Sequence, residues 1–165
     1  MVRRALRGNP FFSVLDLEVK RAGRSFTVDT LRELHRRHRG RQKFFFLIGM
    51  DAFREISTWH EADVLPDLTR FVIFPRPGYP LEDPSPSLPP SWKLEAPTGA
   101  RAGITRYPLA GGSALFTVET GVFPLSASTI RRRVRQGRSI KYLVPDAVER
   151  YIKRCNLYRK PRKGG

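Results

Sequence analysis

Two uninterrupted apolar runs constrain the fold of this sequence more than any other feature. They span residues 43–48, KFFFLI, and residues 70–74, RFVIF. A strand with one wet face alternates apolar and polar residues, whereas a strand covered on both faces is apolar throughout, as in parallel sheets. A helical pattern with Val28, Leu31 and Leu34 on one face precedes the first run, and helical segments separate the two runs. The sequence therefore predicts an α/β fold with a parallel sheet and helices on both faces.

The segments around this centre complete a single domain. Residues 11–19, FFSVLDLEV, alternate and predict a strand, and Thr27 begins the helix that follows. Residues 75–99 are dense in proline, which predicts a long, mobile surface loop that is most pronounced over 80–99. ITRYPLA and ALFTVE predict one or two more strands, and the last third is helical. We predict one domain over residues 1–158, followed by a disordered basic tail at 159–165.

Charge and composition limit the classes of protein. The chain has 31 Lys and Arg residues against 15 Asp and Glu, a net charge of +16, but the basic clusters are scattered along the sequence. Scattered charge supports nucleic-acid binding only weakly, so no nucleic-acid partner is predicted. No apolar run reaches the roughly 18 residues of a membrane span, and the N-terminus lacks the apolar core of a secretory signal. The single cysteine, Cys155, suits a reducing compartment, and we expect a cytoplasmic protein.

A helix start at residues 126–139, SASTIRRRVRQGRS, has an unusual charge pattern. Ser126 and Ser128 stand where an N-cap belongs, and Arg131–Arg133 follow in what the sequence indicates is the first turn. The positive end of a helix dipole disfavours arginine. The segment is either a capped, solvated helix or a polyphosphate site, in which backbone N–H groups, hydroxyls and a guanidinium bind phosphate oxygens.

Three side chains near the predicted strand ends are further candidates. Asp51 follows the first apolar run and would either bind ribose hydroxyls or cap a helix. Arg76 follows the second run and would either bind a phosphate or lie in a loop. Trp59 would either stack on a planar ring or pack in the core. No glycine-rich phosphate loop and no Ser/His/Asp or Cys/His arrangement occurs in the sequence.

Five segments in this order and spacing resemble the bacterial nicotinate-nucleotide adenylyltransferase family. They are SFTVDTLRELH, FFLIGMDAF, STWH, FVIFPRPGYP and LSASTIRRRVRQGRSIKYLVPDAVERYI. The resemblance runs from Met1 to about Tyr158 and is broken only across the proline-rich loop. In the last segment Ala127 and Ser128 depart from the family's I-S-S-T-x-I-R signature, although Ser128 keeps the hydroxyl.

The resemblance implies a Rossmann-like nucleotidyltransferase fold and an activity. Nicotinate mononucleotide would attack the α-phosphate of ATP, normally with Mg²⁺, to give deamido-NAD and pyrophosphate. Transfer without a covalent intermediate depends on positioning and on charge stabilisation. The implied ATP-binding residues are Gly49, Asp51, Ser126, Ser128 and Arg131, and the implied residues for the nicotinate nucleotide are Thr27, Trp59 and Arg76.

One part of the family pattern is absent from residues 1–165. The family has a G-G-x-F-D-P-x-H-x-G-H loop whose histidines stabilise the transferring phosphate, and no such sequence occurs here. The resemblance therefore implies an N-terminally incomplete fold with no catalytic residue of its own. In a doubly wound sheet the missing strand is central, so the first apolar run would become an exposed edge. We expect the chain alone to be poorly soluble or inactive. A catalytically dead nucleotide-binding domain and a basic nucleic-acid-binding domain are the alternatives, and nicotinamide mononucleotide is the alternative substrate.

Overall fold

In the computed structural model, which describes residues 1–121 and 125–159 apart from the side chain of Ala100, five β-strands form one mixed sheet. In chain order they are β1 (Phe45–Gly49), β2 (Arg70–Phe74), β3 (Thr98–Arg101), β4 (Ile104–Pro108) and β5 (Ala114–Val118). The spatial order is β1-β2-β5-β4-β3. Strands β1, β2 and β5 are parallel, while β5, β4 and β3 are antiparallel neighbours. The predicted α/β class is confirmed, but the sheet is parallel over three strands only.

Short connections explain the antiparallel part. Ala102 and Gly103 join β3 to β4 with φ angles of 52° and 74°. Two successive positive φ angles are typical of the tight hairpin turn that matches strand twist, and a two-residue turn can join antiparallel strands only. The sequence analysis predicted one or two strands over the residues of β4 and β5, and both strands are present, whereas it included the first two of the four residues of β3 in the proline-rich loop.

Seven α-helices occur within the described residues, and the chain divides into two compact units. The helices are α1 (Val2–Ala5), α2 (Leu17–Lys20), α3 (Thr27–Arg37), α4 (Met50–Phe53), α5 (Leu65–Leu68), α6 (Ala127–Arg135) and α7 (Asp146–Arg154). Leu17–Phe123 form the sheet unit, and Met1–Asp16 with Pro124–Gly165 form the helical unit. The single domain over 1–158 stays a prediction. Among the described helices, none has the length and apolar content needed to cross a membrane.

The core of the sheet unit lies on one face of the parallel strands. Phe71, Ile73 and Leu115 are fully buried there, and Val28 of α3 and Phe53 of α4 pack against them. The register pairs Gly49 with Phe74, so β1 and β2 end side by side. The two strands therefore present the residues that follow them at the same edge of the sheet.

The other face of β1 is exposed, whereas the apolar run predicted a strand covered on both faces. Phe45 is 52% exposed and Leu47 is 66% exposed, while Ile48 points into the core. Within the described chain, β2 is the only strand paired with β1, so β1 is an edge strand. An apolar exposed edge is an unusual feature of a stable monomer, because its free backbone groups can pair with another chain. This is the edge expected from the sequence.

The strand predicted over residues 11–19 is wrong. The region contains a turn at Phe11, residues without regular secondary structure, and then α2 at Leu17–Lys20. Phe11 is 90% exposed and Val19 is 88% exposed, so the alternating pattern has no partner surface on which to pair. Instead, Asn9 accepts a hydrogen bond from the backbone N–H of Phe11 at 3.0 Å, which turns the chain locally.

The proline-rich segment is fixed to the sheet unit at its centre. Trp92 is 6% exposed, lies in the core beside Phe71, and donates its indole N–H to the carbonyl of Ala62 at 3.1 Å. Pro84 is also buried, and a short 3₁₀ turn covers Ser85–Ser87. The prediction of a surface loop over 80–99 is therefore wrong for its middle, because its tryptophan completes the core.

The helical unit has a separate small core. Ile130 of α6, Ile140, and Val148 and Ile152 of α7 are buried together. Both predicted helices of the last third are confirmed, and Pro145 is the N-cap of α7. Of the predicted tail at 159–165, residues 160–165 lie outside the described residues.

Candidate functional site

Gly49, Asp51 and Arg76 meet where β1 and β2 end. Asp51 lies in the first turn of α4, directly after β1, and Arg76 follows β2 by two residues. The carboxylate Oδ2 of Asp51 lies 3.7 Å from the guanidinium Nε of Arg76, and both side chains are partly exposed. The carboxyl ends of parallel strands are where α/β folds bind ligands. The structure thus brings together three of the residues singled out from the sequence.

Asp51 is not the cap of its helix. The N-cap of α4 is Gly49, and no side chain caps this helix end. The carboxylate of Asp51 is therefore available for Arg76 or for a ligand, and its position in the first turn suits the helix dipole. The capping alternative weighed in the sequence analysis is excluded.

Gly49 leaves room for this ion pair. A Cβ at this position would lie 2.7 Å from Cγ of Arg76 and closer still to Oδ1 of Asp51. Its φ of −76° is open to any residue, so the reason for glycine is this close approach and not its backbone conformation.

The backbone of Arg76 is fixed by hydrogen bonds, and its guanidinium is partly exposed. Its N–H donates to the carbonyl of Tyr79, and the N–H of Tyr79 donates back to the carbonyl of Arg76, each at 2.8 Å. Gly78, with φ of 81°, makes the tight turn between them. The guanidinium is half exposed where β2 ends, so its N–H groups are accessible to a phosphate.

Thr27 and Trp59 lie on neighbouring segments. Thr27 is the first residue of α3, as predicted, and Phe26 before it is the N-cap. The ring of Phe26 stacks on that of His60 with centroids 4.2 Å apart and a tilt of 32°. Trp59 is half-buried and contacts Phe46 edge-on, with centroids 5.9 Å apart. The core-packing alternative therefore describes one side of Trp59, and its stacking on a ligand stays a prediction.

The sequence did not reveal the ion pair of Arg32 and Glu61, which lies beside His60 and Trp59. Arg32 donates two hydrogen bonds to Glu61, at 3.0 and 2.6 Å, which lowers the pKa of the Glu61 carboxyl. Glu61 has a φ of 49°, so the chain turns sharply after His60. A bidentate arginine–carboxylate pair is geometrically specific. The only sequence signal was the order Trp-His-Glu after a helical segment, which does not reveal a partner 29 positions away.

The start of α6, in the helical unit, holds a second group of candidate residues. Ser126 is the N-cap, as predicted, and its Oγ accepts from the N–H of Thr129 at 3.1 Å. Ser128 is exposed, and its Oγ accepts from Nη2 of Arg131 at 3.2 Å. The guanidinium of Arg131 thus turns back to the N-terminal end of the helix. These residues belong to the helical unit.

The premise that three arginines crowd the first turn is wrong. Helix α6 has nine residues, and Arg132 and Arg133 lie in its last turn, where the dipole favours them. Arg133 donates from Nε to the carbonyl of Ser139 at 2.8 Å, beyond the helix. Arg131 alone combines a central position in the helix with a side chain directed to its positive end.

Metal ligands are sparse around these residues. No group of three or more His, Cys, Asp or Glu side chains with the geometry of a metal site occurs among residues 1–121 and 125–159. Asp51, the acidic residue of the strand-end cluster, is paired with Arg76.

Comparison with solved structures defines the class of fold. A Plasmodium falciparum nicotinic acid mononucleotide adenylyltransferase complexed with APC matches 83% of this chain with a TM-score of 0.55 at 19% identity. The same enzyme complexed with NaAD gives the same score. The chain spans 60% and 58% of the lengths of these two structures. The fold is thus a Rossmann-like nucleotidyltransferase fold.

Sequence comparison gives the family. The chain is 40% identical over 159 residues to a probable nicotinate-nucleotide adenylyltransferase of Syntrophotalea carbinolica, which covers 96% of this chain and 72% of the relative. Probable nicotinate-nucleotide adenylyltransferases of Citrifermentans bemidjiense and Thermus thermophilus are also 40% identical, over 158 and 156 residues. No model of a protein family matches the chain. The chain belongs to the nicotinate-nucleotide adenylyltransferase family, which confirms the resemblance found in the sequence.

Proposed function

We propose that this chain supplies the nucleotide-binding residues for transfer of AMP from ATP to nicotinate mononucleotide. In this reaction a phosphate oxygen of the mononucleotide forms a bond to the α-phosphorus of ATP. The bond from that phosphorus to the pyrophosphate oxygen breaks, and deamido-NAD and pyrophosphate are the products. Family membership at 40% identity supports the reaction. The cluster of Gly49, Asp51 and Arg76 at the ends of two parallel strands is the observation that carries the site.

The start of α6 is proposed to hold the phosphates of ATP. Backbone N–H groups at a helix start, the exposed hydroxyl of Ser128 and the guanidinium of Arg131 are all donors to phosphate oxygens. Ser126 supports this arrangement by capping the helix and ordering its first turn. The hydrogen bond between Arg131 and Ser128 holds the guanidinium in place before ATP arrives, which reduces the entropy lost on binding.

The strand-end cluster is proposed to hold the sugar and the second nucleotide. Gly49 leaves room for the side chains of Asp51 and Arg76 at the nucleotide, and Asp51 accepts hydrogen bonds from ribose hydroxyls. Arg76 binds the phosphate of nicotinate mononucleotide, and Thr27 and Trp59 lie along its pyridine ring. Mg²⁺ is proposed to enter as part of the MgATP substrate, bound by phosphate oxygens, since the described residues lack a carboxylate cluster for it. NAD synthesis from these two nucleotides is expected in the cytoplasm.

Transfer by residues 1–165 alone is expected to be slow or undetectable, because the sequence contains no H-x-G-H loop to stabilise the transferring phosphate. Binding and chemistry therefore need separate tests. Isothermal titration calorimetry with ATP, with nicotinate mononucleotide and with nicotinamide mononucleotide measures binding. Chromatography of deamido-NAD after incubation with both substrates measures transfer.

Arg131→Ala is the decisive variant, and Arg132→Ala is its matched control. Arg132 neighbours Arg131, is exposed, and lies in the last turn of α6. We expect Arg131→Ala to weaken ATP binding about tenfold or more and Arg132→Ala to change it less than about twofold, as for a charge-assisted bond lost at one site. Equal effects of the two substitutions would contradict a specific phosphate site.

A further inference from the structure

Positive charge is concentrated in the helical unit, although it is scattered along the sequence. Met1–Asp16 with Pro124–Gly165 hold 16 Lys and Arg residues against three Asp and Glu, a net charge of +13. Leu17–Phe123 hold the other 15 basic residues against 12 acidic residues, a net charge of +3. The smaller of the two units thus carries most of the excess charge, because two distant stretches of sequence fold together.

Within this unit, α1 and α7 form a groove lined by cations. Its volume is about 670 Å³, within the range of small-ligand sites. Five of its seven lining residues are basic, namely Arg4, Arg7, Arg150, Lys153 and Arg154, and the other two are Ala147 and Tyr151. No acidic side chain lines it. Arg150 and Arg154 are four residues apart on α7, an arrangement of like charges that weakens a helix unless an anion lies between them.

The four arginines of this groove lack the acidic partners that arginines have elsewhere in the described chain. Lys153 pairs with Glu149 at 2.6 Å, whereas the four arginines form no ion pair with any described residue. In the sheet unit, by contrast, arginines pair with carboxylates repeatedly, as in Arg32–Glu61, Arg36–Glu33, Arg37–Glu33, Arg54–Glu82 and Arg76–Asp51. The groove therefore has uncompensated charge where the sheet unit has neutral pairs.

Tyr151 holds two of these arginines in place. The guanidinium carbon of Arg4 lies 4.8 Å from the centroid of its ring, and that of Arg154 lies 5.9 Å away. Cation–π contacts fix the guanidinium groups while leaving their N–H donors free. The ring of Tyr151 is half-buried, and the two arginines cover it on the groove side. A nucleic-acid base is therefore less able to stack on the ring, whereas the arginine N–H groups can contact phosphates.

We propose that this groove binds nucleic acid through its phosphodiester backbone. Fixed, unpaired guanidinium groups without a carboxylate among them suit a row of phosphates and carry no information about base sequence. A second basic depression on the other side of α7, lined in part by Arg135, Arg138 and Arg159, shares Lys153 and extends the surface. None of Ser126, Ser128 and Arg131 lines either depression, so this surface is separate from the proposed ATP site.

The test compares neutralised variants of the full chain. Arg150→Gln with Arg154→Gln removes two groove cations, and Arg24→Gln with Arg41→Gln removes two exposed, unpaired cations of the sheet unit as a matched control. Fluorescence anisotropy with labelled single-stranded RNA of about 20 nucleotides, at several salt concentrations, gives affinity and salt slope. Each phosphate contact to a single strand adds about 0.7 to that slope. Losing two contacts should lower the slope by about 1.4 and the affinity at 0.1 M salt about 25-fold.

Several results decide between this groove and general charge. The control pair should change affinity less than about threefold, and Arg150→Lys with Arg154→Lys should retain most of the salt-dependent binding, because counterion release depends on the charge that lysine keeps. Single-stranded DNA of the same length should bind about as well as RNA. An equal loss in the groove and control variants would overturn the proposal, as would selection of one base sequence. Binding to phosphatidylglycerol vesicles without binding to either strand would also overturn it. Circular dichroism of each variant verifies that α7 is still formed.

Discussion

Replacing Gly49 by alanine should reduce nucleotide binding with little change in the free energy of unfolding. The backbone at Gly49 has φ of −76° and ψ of 151°, which alanine adopts without strain. The new Cβ would lie 2.7 Å from Cγ and 3.0 Å from Cδ of Arg76, and would overlap Oδ1 of Asp51. Both side chains are partly exposed and can move away into solvent. The substitution therefore displaces the two charged groups of the strand-end cluster without a cavity or a backbone change.

The expected effect on stability is small because two contributions oppose each other. Loss of an exposed ion pair costs about 0.2–1 kcal/mol. Replacing glycine by alanine at a compatible φ reduces the entropy of the unfolded chain and stabilises by about 0.4–1 kcal/mol. The free energy of unfolding should change by less than about 1 kcal/mol, which corresponds to less than about 4 °C in Tm for a chain of this size. Affinities for ATP and nicotinate mononucleotide should each fall about tenfold or more, a change of about 1.4 kcal/mol.

Calorimetric titration and thermal unfolding of the same samples test both halves of this prediction. Gly121→Ala is the matched control, because a Cβ there meets nothing within 4 Å and its φ is not in the left-handed region. Unchanged affinities in Gly49→Ala would refute the proposed role of the cluster. A fall in Tm of more than about 10 °C would show that Gly49 serves folding instead, since such a shift exceeds the small net effect worked out above.

Four further predictions follow from individual residues. Arg131→Ala should weaken binding of ATP but leave that of nicotinate mononucleotide within about twofold, as measured by calorimetry, because its guanidinium lies at the start of α6, the proposed site of the ATP phosphates. Phe53→Ala should lower the free energy of unfolding by about 3–5 kcal/mol in urea titrations, because the ring is fully buried. Glu33 has its carboxyl pKa lowered to about 2 by hydrogen bonds from Arg36 and its neighbour, so the stabilisation is present above pH 4.5 and is lost as the pH falls from 4.5 to 2; a carboxyl titration by NMR should give a midpoint near 2 that rises in Arg36→Gln. Leu47→Lys should raise the monomer fraction in light scattering without lowering Tm, because Leu47 is 66% exposed on an edge strand; a wild-type chain that is already fully monomeric would contradict this.

The elements that could be predicted are those whose pattern is local. The apolar runs became β1 and β2, and the amphipathic repeat starting at Thr27 became α3. Their carboxyl ends could be placed at one sheet edge by topology alone, so Asp51 and Arg76 were identified as candidates before any geometry was known. The start of α6, including Ser128 and Arg131, was a candidate from its hydroxyl and arginine pattern, and the family resemblance added its implied role in binding ATP.

The features that could not be predicted depend on distant partners. Residues 11–19 alternate like a strand, but strand formation needs a neighbour with free backbone groups, and the described chain places none beside them. Trp92 lies in a proline-rich stretch typical of a loop, yet the carbonyl of Ala62 accepts its indole N–H. The pair of Arg32 and Glu61 likewise joins residues that no local rule connects.

The arginines of α6 show how a boundary error of a few residues changes a functional argument. Read as first-turn residues, all three oppose the helix dipole and together suggest a ligand of high negative charge. In a helix that ends at Arg135, however, Arg132 and Arg133 are favourable last-turn cations and suggest nothing about ligands. What remains is Arg131, whose guanidinium reaches back to Ser128 because side chains on a helix lean toward its N-terminus. The case for a phosphate site therefore depends on one arginine and one serine, which makes the comparison of Arg131→Ala with Arg132→Ala more decisive than removal of the whole cluster.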